Sequence, residues 1–246
     1  MSELQKRHCS AERQTVFSSQ TKNVRRLVSA KRQVRRTINA AIRKPDEPSE
    51  EAHTLVLALL YCAWLEASFS KLVHTPYGFS LSEIEQIKRE QDRAGISAAW
   101  KKAVALGTMR VDSKKSGYVP NIRQKLESLI DGYVRDPSLI RNKIAHGQWS
   151  VALNRMHTAP NPGMTRDIQD LDVVQIEKWI VVANKICSII ESLIASPTRA
   201  FHRDYWLLLT ALEEDLDRTD AWNHTQKRDL LKLKPLKPPP SGHVSV

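Results

Sequence analysis

Between residues 50 and 73 the sequence is apolar on almost every side of a helix. Leu55, Leu57, Leu59, Leu60, Trp64, Leu65, Phe69 and Leu72 fall all round a wheel turned at about 100° per residue. A helix of that kind cannot lie on a surface, so other elements have to enclose it. Ser49 is the expected N-cap, and Glu50 and Glu51 suit the positive end of the helix dipole. Just upstream, Pro45-Asp46-Glu47-Pro48 ends whatever helix comes before. Glu66 is the anomaly, because it shares a stripe with Leu55, Leu59, Cys62 and Phe69. A carboxylate there either pairs with a structural Lys or Arg, reaches solvent with the end of its chain, or has a functional partner such as Arg141.

The enclosing elements are also helical in pattern. Ser82-Glu83-Ile84-Glu85 reads as a capping box that opens a helix running to about Arg93. Gly95 interrupts, and a second run from Ile96 through Trp100 and Val104 ends at Gly107. Residues 108–119, with Lys114-Lys115-Ser116-Gly117, read as an exposed loop. Residues 121–134 carry Ile122, Leu126, Leu129, Ile130 and Tyr133 at helical spacing. Two short extended arms around Asn161-Pro162-Gly163 suggest a small hairpin. A long apolar helix spans 171–195, and Pro197-Thr198 starts another with Phe201, Tyr205, Leu209 and Leu212 on one side. With only 8 glycines and little β-branched alternation, the expected fold is all-α: an antiparallel helical bundle.

The expected organisation has three segments: a basic helical extension over 1–44, the bundle over 45–217, and a remnant of helix with a tail over 218–246. The tail Lys232-Leu233-Lys234-Pro235-Leu236-Lys237-Pro238-Pro239-Pro240 is basic and proline-rich, and is expected to be disordered. No run of 18 apolar residues is free of charge, so no membrane span is expected. The N-terminus shows no apolar h-region, and Cys9, Cys62 and Cys187 share no ligand spacing. A cytoplasmic chain with reduced thiols is the expectation.

Charge is unevenly placed. The formal net charge is +11, and residues 13–44 hold ten Lys or Arg and no acid, so 11 − 10 leaves +1 for the rest. Val24, Leu27, Val28, Val34, Ile38 and Ile42 recur at helical spacing between those cations, giving an expected helix over 15–43. A face carrying Arg25, Arg26, Arg32, Arg35 and Arg36 is either solvated or a handle for a polyanion. Bulky membrane-inserting residues are few, which favours RNA over a membrane surface.

Chemistry concentrates in Asp136-Pro137-Ser138-Leu139-Ile140-Arg141-Asn142-Lys143-Ile144-Ala145-His146-Gly147. Asp136 is an expected N-cap, Pro137 suits the first helical position after a sharp corner, and Gly147 suits the left-handed C′ position. On the wheel Ile140 and Ile144 form one side. Arg141, Ala145, Asn142 and His146 form an opposite arc of roughly 140°. A fixed cation, an amide and an imidazole on one arc suit a phosphate.

Arg141-Asn142-Lys143-Ile144-Ala145-His146 resembles the Arg-x4–6-His signature of the HEPN superfamily, with the polar residue commonly found just after the Arg. The likeness covers residues 49–196 in outline, and its specific part is this helix. It implies a small, usually dimeric helical bundle, and either a metal-independent endoribonuclease of toxin–antitoxin or antiviral systems or an inactive nucleotide- or partner-binding module. By that resemblance Arg141, Asn142 and His146 are the catalytic residues, with no cofactor and with an antitoxin or other regulatory protein as a partner. One subgroup carries a Tyr two residues after the His, where a partner enzyme modifies it. Here Gln148 occupies that position.

The residues themselves fit such chemistry. An imidazole exchanges protons near neutral pH and serves as base or acid. Arg141 matches phosphate geometry and stays charged, and Glu66 could orient it; Lys143 adds a further cation for RNA. One chain supplies one such His, so a paired acid and base needs two copies across a dimer axis. Cleavage through the substrate's own 2′-hydroxyl would leave DNA inert. The plainer alternative for His146 is an idle cation favoured by a helix C-terminus. No spacing of His and Cys suggests a metal, since His53 and Cys62 lie nine apart and His202-Arg203-Asp204 has no third ligand nearby.

Overall fold

The computed structural model describes residues 3–111 and 117–233, with the side chains of residues 3–10 excepted. The expected loop at Lys114-Lys115 and the proline-rich tail beyond Leu233 lie outside the described residues. What is described is an all-α helical bundle. In order the helices are α1 (Glu3–Arg43), α2 (Glu47–Val73), α3 (Leu81–Ala94), α4 (Ile96–Thr108), α5 (Tyr118–Ile130), α6 (Asp136–Ala145), α7 (Pro162–Gln169), α8 (Val173–Ala195), α9 (Ala200–Asp220) and α10 (His224–Leu233).

The pattern of residues 50–73 has the expected consequence. Leu57, Tyr61, Trp64, Leu65, Phe69 and Leu72 of α2 are all buried, and α1, α6 and α8 pack around them. By length and hydropathy alone α2 is apolar enough to cross a bilayer, but 56% of that stretch is buried inside the bundle. Arg13 reaching Thr75 and Lys31 lying on Trp64 run α1 antiparallel to α2. Tyr61 beside Trp179 and Lys71 beside Glu191 run α8 parallel to α2.

Several helix ends differ from expectation. The cap of α2 is Asp46, whose carboxylate accepts from the Ser49 amide at 3.2 Å, so the helix starts before Ser49. Pro48 then sits within the first turn, where its missing N–H is harmless. The capping box of α3 is Ser80 with Glu83, two residues upstream of the overlapping Ser82/Glu85 pair. Buried Phe79 and Ile84 flank it in the positions of a hydrophobic staple, and Arg110 pairs with Glu83. Gly95 does divide α3 from α4, at a φ of 85° that glycine tolerates. No hairpin turns at Asn161-Pro162-Gly163. Asn161 caps α7 there, accepting from the Met164 amide, and the chain reverses earlier, over 153–160.

The largest departure lies before α6. Instead of a corner at Asp136-Pro137, a π-helical turn at Asp131–Arg135 carries α5 straight into α6. Proline cannot donate to the carbonyl four residues back, and its ring crowds that carbonyl. The widened turn makes room, and the freed Tyr133 carbonyl accepts instead from the Tyr61 hydroxyl at 2.6 Å. Asp136 caps nothing; its carboxylate accepts from Arg135 at 3.0 Å.

Candidate functional site

α6 is held by α2 along one side. Cys62 donates to the Pro137 carbonyl at 3.6 Å, and Glu66, one turn further, forms an ion pair with Arg141. Ile140 and Ile144 are buried, as the wheel requires. Burial pushes the Cys62 thiol up to about 12, with Arg141 nearby pulling the other way, so it packs as an inert group.

The opposite side of α6 stays open. Asn142, Ala145 and His146 are exposed and Arg141 is half-buried. Neither the Asn142 amide nor the His146 ring bonds to another side chain among the described residues, and Asn142 does not fix the ring. Glu66 is less buried than its apolar neighbours suggested, with 45% of its side chain exposed. An ion pair that open adds little stability. Its effect is geometric: one carboxylate oxygen takes one guanidinium nitrogen and fixes where the guanidinium stands, with 30% of the Arg141 side chain exposed.

The C-terminus of α6 is built firmly. Gly147 takes a φ of 77°, its amide donates to Ile144 at 3.0 Å, and the Gln148 amide donates to Lys143 at 3.0 Å. That is a Schellman closure, and it leaves His146 as the last residue before the chain turns away. The following loop folds back to reinforce it. Trp149 donates its indole N–H to the Ile144 carbonyl, and buried Gln148 accepts from the Leu153 amide at 2.7 Å. Lys143 is occupied in this closure, donating to the Leu153 carbonyl at 2.6 Å. Gln148 and Trp149 thus position the helix end, a role that no motif in the sequence signalled.

Three apolar side chains on α6 and in the loop after it are partly exposed. Leu139, 47% exposed, lies on the same stripe as Asn142 and His146, while Trp149 and Val151 are 41% and 49% exposed. A cavity of about 520 Å³ adjoins that stripe at Leu139, and its lining also includes Ile140, Trp179 and the carboxylates Asp136, Asp167, Asp170 and Asp172. That lining repels phosphate. Among the described residues no three His, Cys, Asp or Glu side chains converge to hold a metal ion.

The cations of α1 divide into two sets. Arg13 donates to the Thr75 carbonyl, Arg43 to the Leu231 carbonyl, and Arg35 pairs with Glu177. Lys31 is turned inward, 5% exposed, with its ammonium 3.5 Å from the centre of the Trp64 ring. Lys22, Arg25, Arg26, Arg32, Arg36 and Lys44 remain exposed. α1 meets α2 at Trp64, whereas α6 meets it at Cys62 and Glu66, two positions away on either side and therefore on the other flank. Arg25 and His146 do not share a groove within one chain.

No protein-family model, no curated protein and no solved structure matches this chain.

Proposed function

We propose that the chain is a metal-independent endoribonuclease of HEPN type that acts as a homodimer on single-stranded RNA. The observation that carries this reading is the pairing of opposites on α6. Arg141 is oriented by Glu66, while Asn142 and His146 beside it are exposed, with no side-chain partner among the described residues.

In the proposed reaction one His146 takes the proton of a 2′-hydroxyl, which attacks the adjacent phosphorus. Arg141 donates hydrogen bonds to the equatorial oxygens as charge builds there. The bond to the 5′-oxygen breaks, and the second copy's imidazole delivers the proton that this oxygen needs. The products are a 2′,3′-cyclic phosphate and a 5′-hydroxyl, and DNA is inert. The exposed Leu139 on the arc's own stripe and Trp149 at the end of α6 offer apolar surface for the second copy. A toxin or defence role, with a regulatory partner protein, goes with this chemistry.

Cleavage of a single-stranded RNA in EDTA, compared between wild type and His146→Ala, tests the reading. Wild type is expected to cut and leave cyclic ends, and His146→Ala to dimerise without cutting. A His146→Ala variant that cuts as well as wild type overturns it, as does a wild-type chain that stays monomeric at micromolar concentration.

A second reading rests on Glu66. Its carboxylate occupies part of Arg141 and offsets its charge, which also suits a bundle that binds a nucleotide, RNA or partner protein without cutting. Tight RNA binding without cleavage by wild type would favour it.

A further inference from the structure

The outward face of α1 is a second, separate surface, and its chemistry is simpler than that of α6. Lys22, Arg25, Arg26, Arg32, Arg36 and Lys44 are exposed, and among the described residues none forms an ion pair or hydrogen bond through its side chain. On a helical wheel they occupy an arc of about 120°, centred opposite Lys31, Ile38 and Ile42, which face the core. From residue 22 to Lys44, which stands one residue past the end of α1, the stripe is about 33 Å long at ~1.5 Å per residue. No acid lies between residues 13 and 44, so nothing within the stripe compensates its charge. Six like charges repel one another, and a helix that keeps them together without an acid gains nothing in stability from doing so.

We infer that this stripe is a docking rail for the phosphate backbone of a nucleic-acid strand, distinct from the Arg141/His146 face. It offers charges without a pocket, without aromatic side chains between them and without buried donors, so it reads phosphates and not bases. Arginine supplies four of the six cations, and its planar fork suits paired phosphate oxygens. Because α1 and α6 sit on opposite flanks of α2, the rail and the α6 arc lie about 30 Å apart, three helices side by side. A strand stacked at ~3.4 Å per nucleotide needs about nine nucleotides to reach from one to the other. The rail therefore governs how long strands are held, and leaves short ones to α6 alone. It rests on the ribonuclease reading only for the identity of the strand; the electrostatics stand without it.

Binding is measured in the cleavage-silent His146→Ala background, by fluorescence anisotropy with an unstructured 20-nucleotide RNA across a salt series. Arg25, Arg26, Arg32 and Arg36 are replaced together by Ala, and separately by Lys. The alanine set is expected to lower affinity roughly tenfold or more and to reduce the salt slope by about 3, at ~0.7 per phosphate on a single strand. The lysine set keeps most of both, because point charges suffice for phosphates. A DNA strand of the same length binds like RNA, since backbone contact carries no sugar information. Circular dichroism confirms that α1 persists, as alanine is the best helix former. An unchanged affinity and salt slope in the alanine set overturns the proposal. So does binding to phosphatidylserine-rich vesicles with no affinity for the 20-mer, which would assign the stripe to a membrane surface. Cleavage of a 5-nucleotide RNA by chains with intact His146 reports α6 separately: it is expected to survive the alanine set, and its absence in wild type counts against the ribonuclease reading alone.

Discussion

The outer face of α1 and the outer face of α6 both present arginine to solvent, from opposite flanks of α2, and they are built in opposite ways. Along α1 and the turn just after it six cations are exposed over about 33 Å, and among the described residues none has a partner that fixes it. On α6 a single arginine is tied to Glu66, and a helix end closed by Gly147, Gln148 and Trp149 sets where His146 stands. Many loose charges give affinity that depends on salt and tolerates small displacements. One charge held in place gives direction, which a transition state needs and a bound strand does not. Under the proposed function holding would fall to α1 and chemistry to α6, and each part of that division can be broken separately.

The largest expected effect is on α6. His146→Ala removes the proposed acid or base and is expected to lower the cleavage rate ~10²–10⁴-fold in a gel assay, with RNA affinity nearly unchanged. Loss of affinity in parallel with rate would make His146 a binding residue and erase the contrast.

Next comes the inner face of α1. Burial, reinforced by Arg35 and opposed by Cys187, lowers Lys31 to about 7 from an ordinary value of 10.5. The folded state therefore binds its proton less well than the unfolded chain between those values. This group's contribution to stability is greatest above about 10.5 and is lost as pH falls to about 7, where the cost levels off. Lys31→Met keeps a side chain over Trp64 and removes the buried charge. It is expected to raise stability at pH 6 by the order of a few kcal/mol, a gain that shrinks as pH rises above 7. Denaturant midpoints at pH 6 and pH 9 measure it, and an equal change at both would mean the ammonium is not desolvated. RNA affinity is expected to stay the same, since Lys31 is not on the rail.

Smaller effects test what positions α6. Tyr61→Phe leaves the Tyr133 carbonyl beside the π turn without its donor, at an expected cost of about 1–3 kcal/mol. The same variant is expected to slow cleavage by shifting α6, and urea midpoints read together with rates would show both. Glu66→Gln keeps the shape but weakens the hold on Arg141, and is expected to reduce kcat about tenfold with KM little changed. Here Glu66 acts as a positioning residue, so Glu66→Asp should recover part of the loss. An increase in kcat would show instead that the carboxylate competes with phosphate, as in the binding-module reading.

Sequence alone determined what depends on neighbours within a few turns. The all-round apolar pattern of α2, the break at Gly95, the two sides of α6 and the left-handed closure at Gly147 are local, because helical periodicity and glycine's freedom act over a few residues. Tertiary structure decided what depends on residues far apart. Ser80 or Ser82, and Asp46 or Ser49, are equally good caps by spacing, and packing around Phe79 and Arg110 bears on the first choice. The ten cations of residues 13–44 look alike in sequence. Only contacts with Thr75, Trp64, Glu177 and Leu231 separate the four that hold α1 in place from the six that face solvent. Likewise Pro137 reads locally as a corner, yet the hydroxyl of Tyr61, 76 positions earlier in the chain, satisfies the carbonyl that proline leaves unpaired and lets the helix run on.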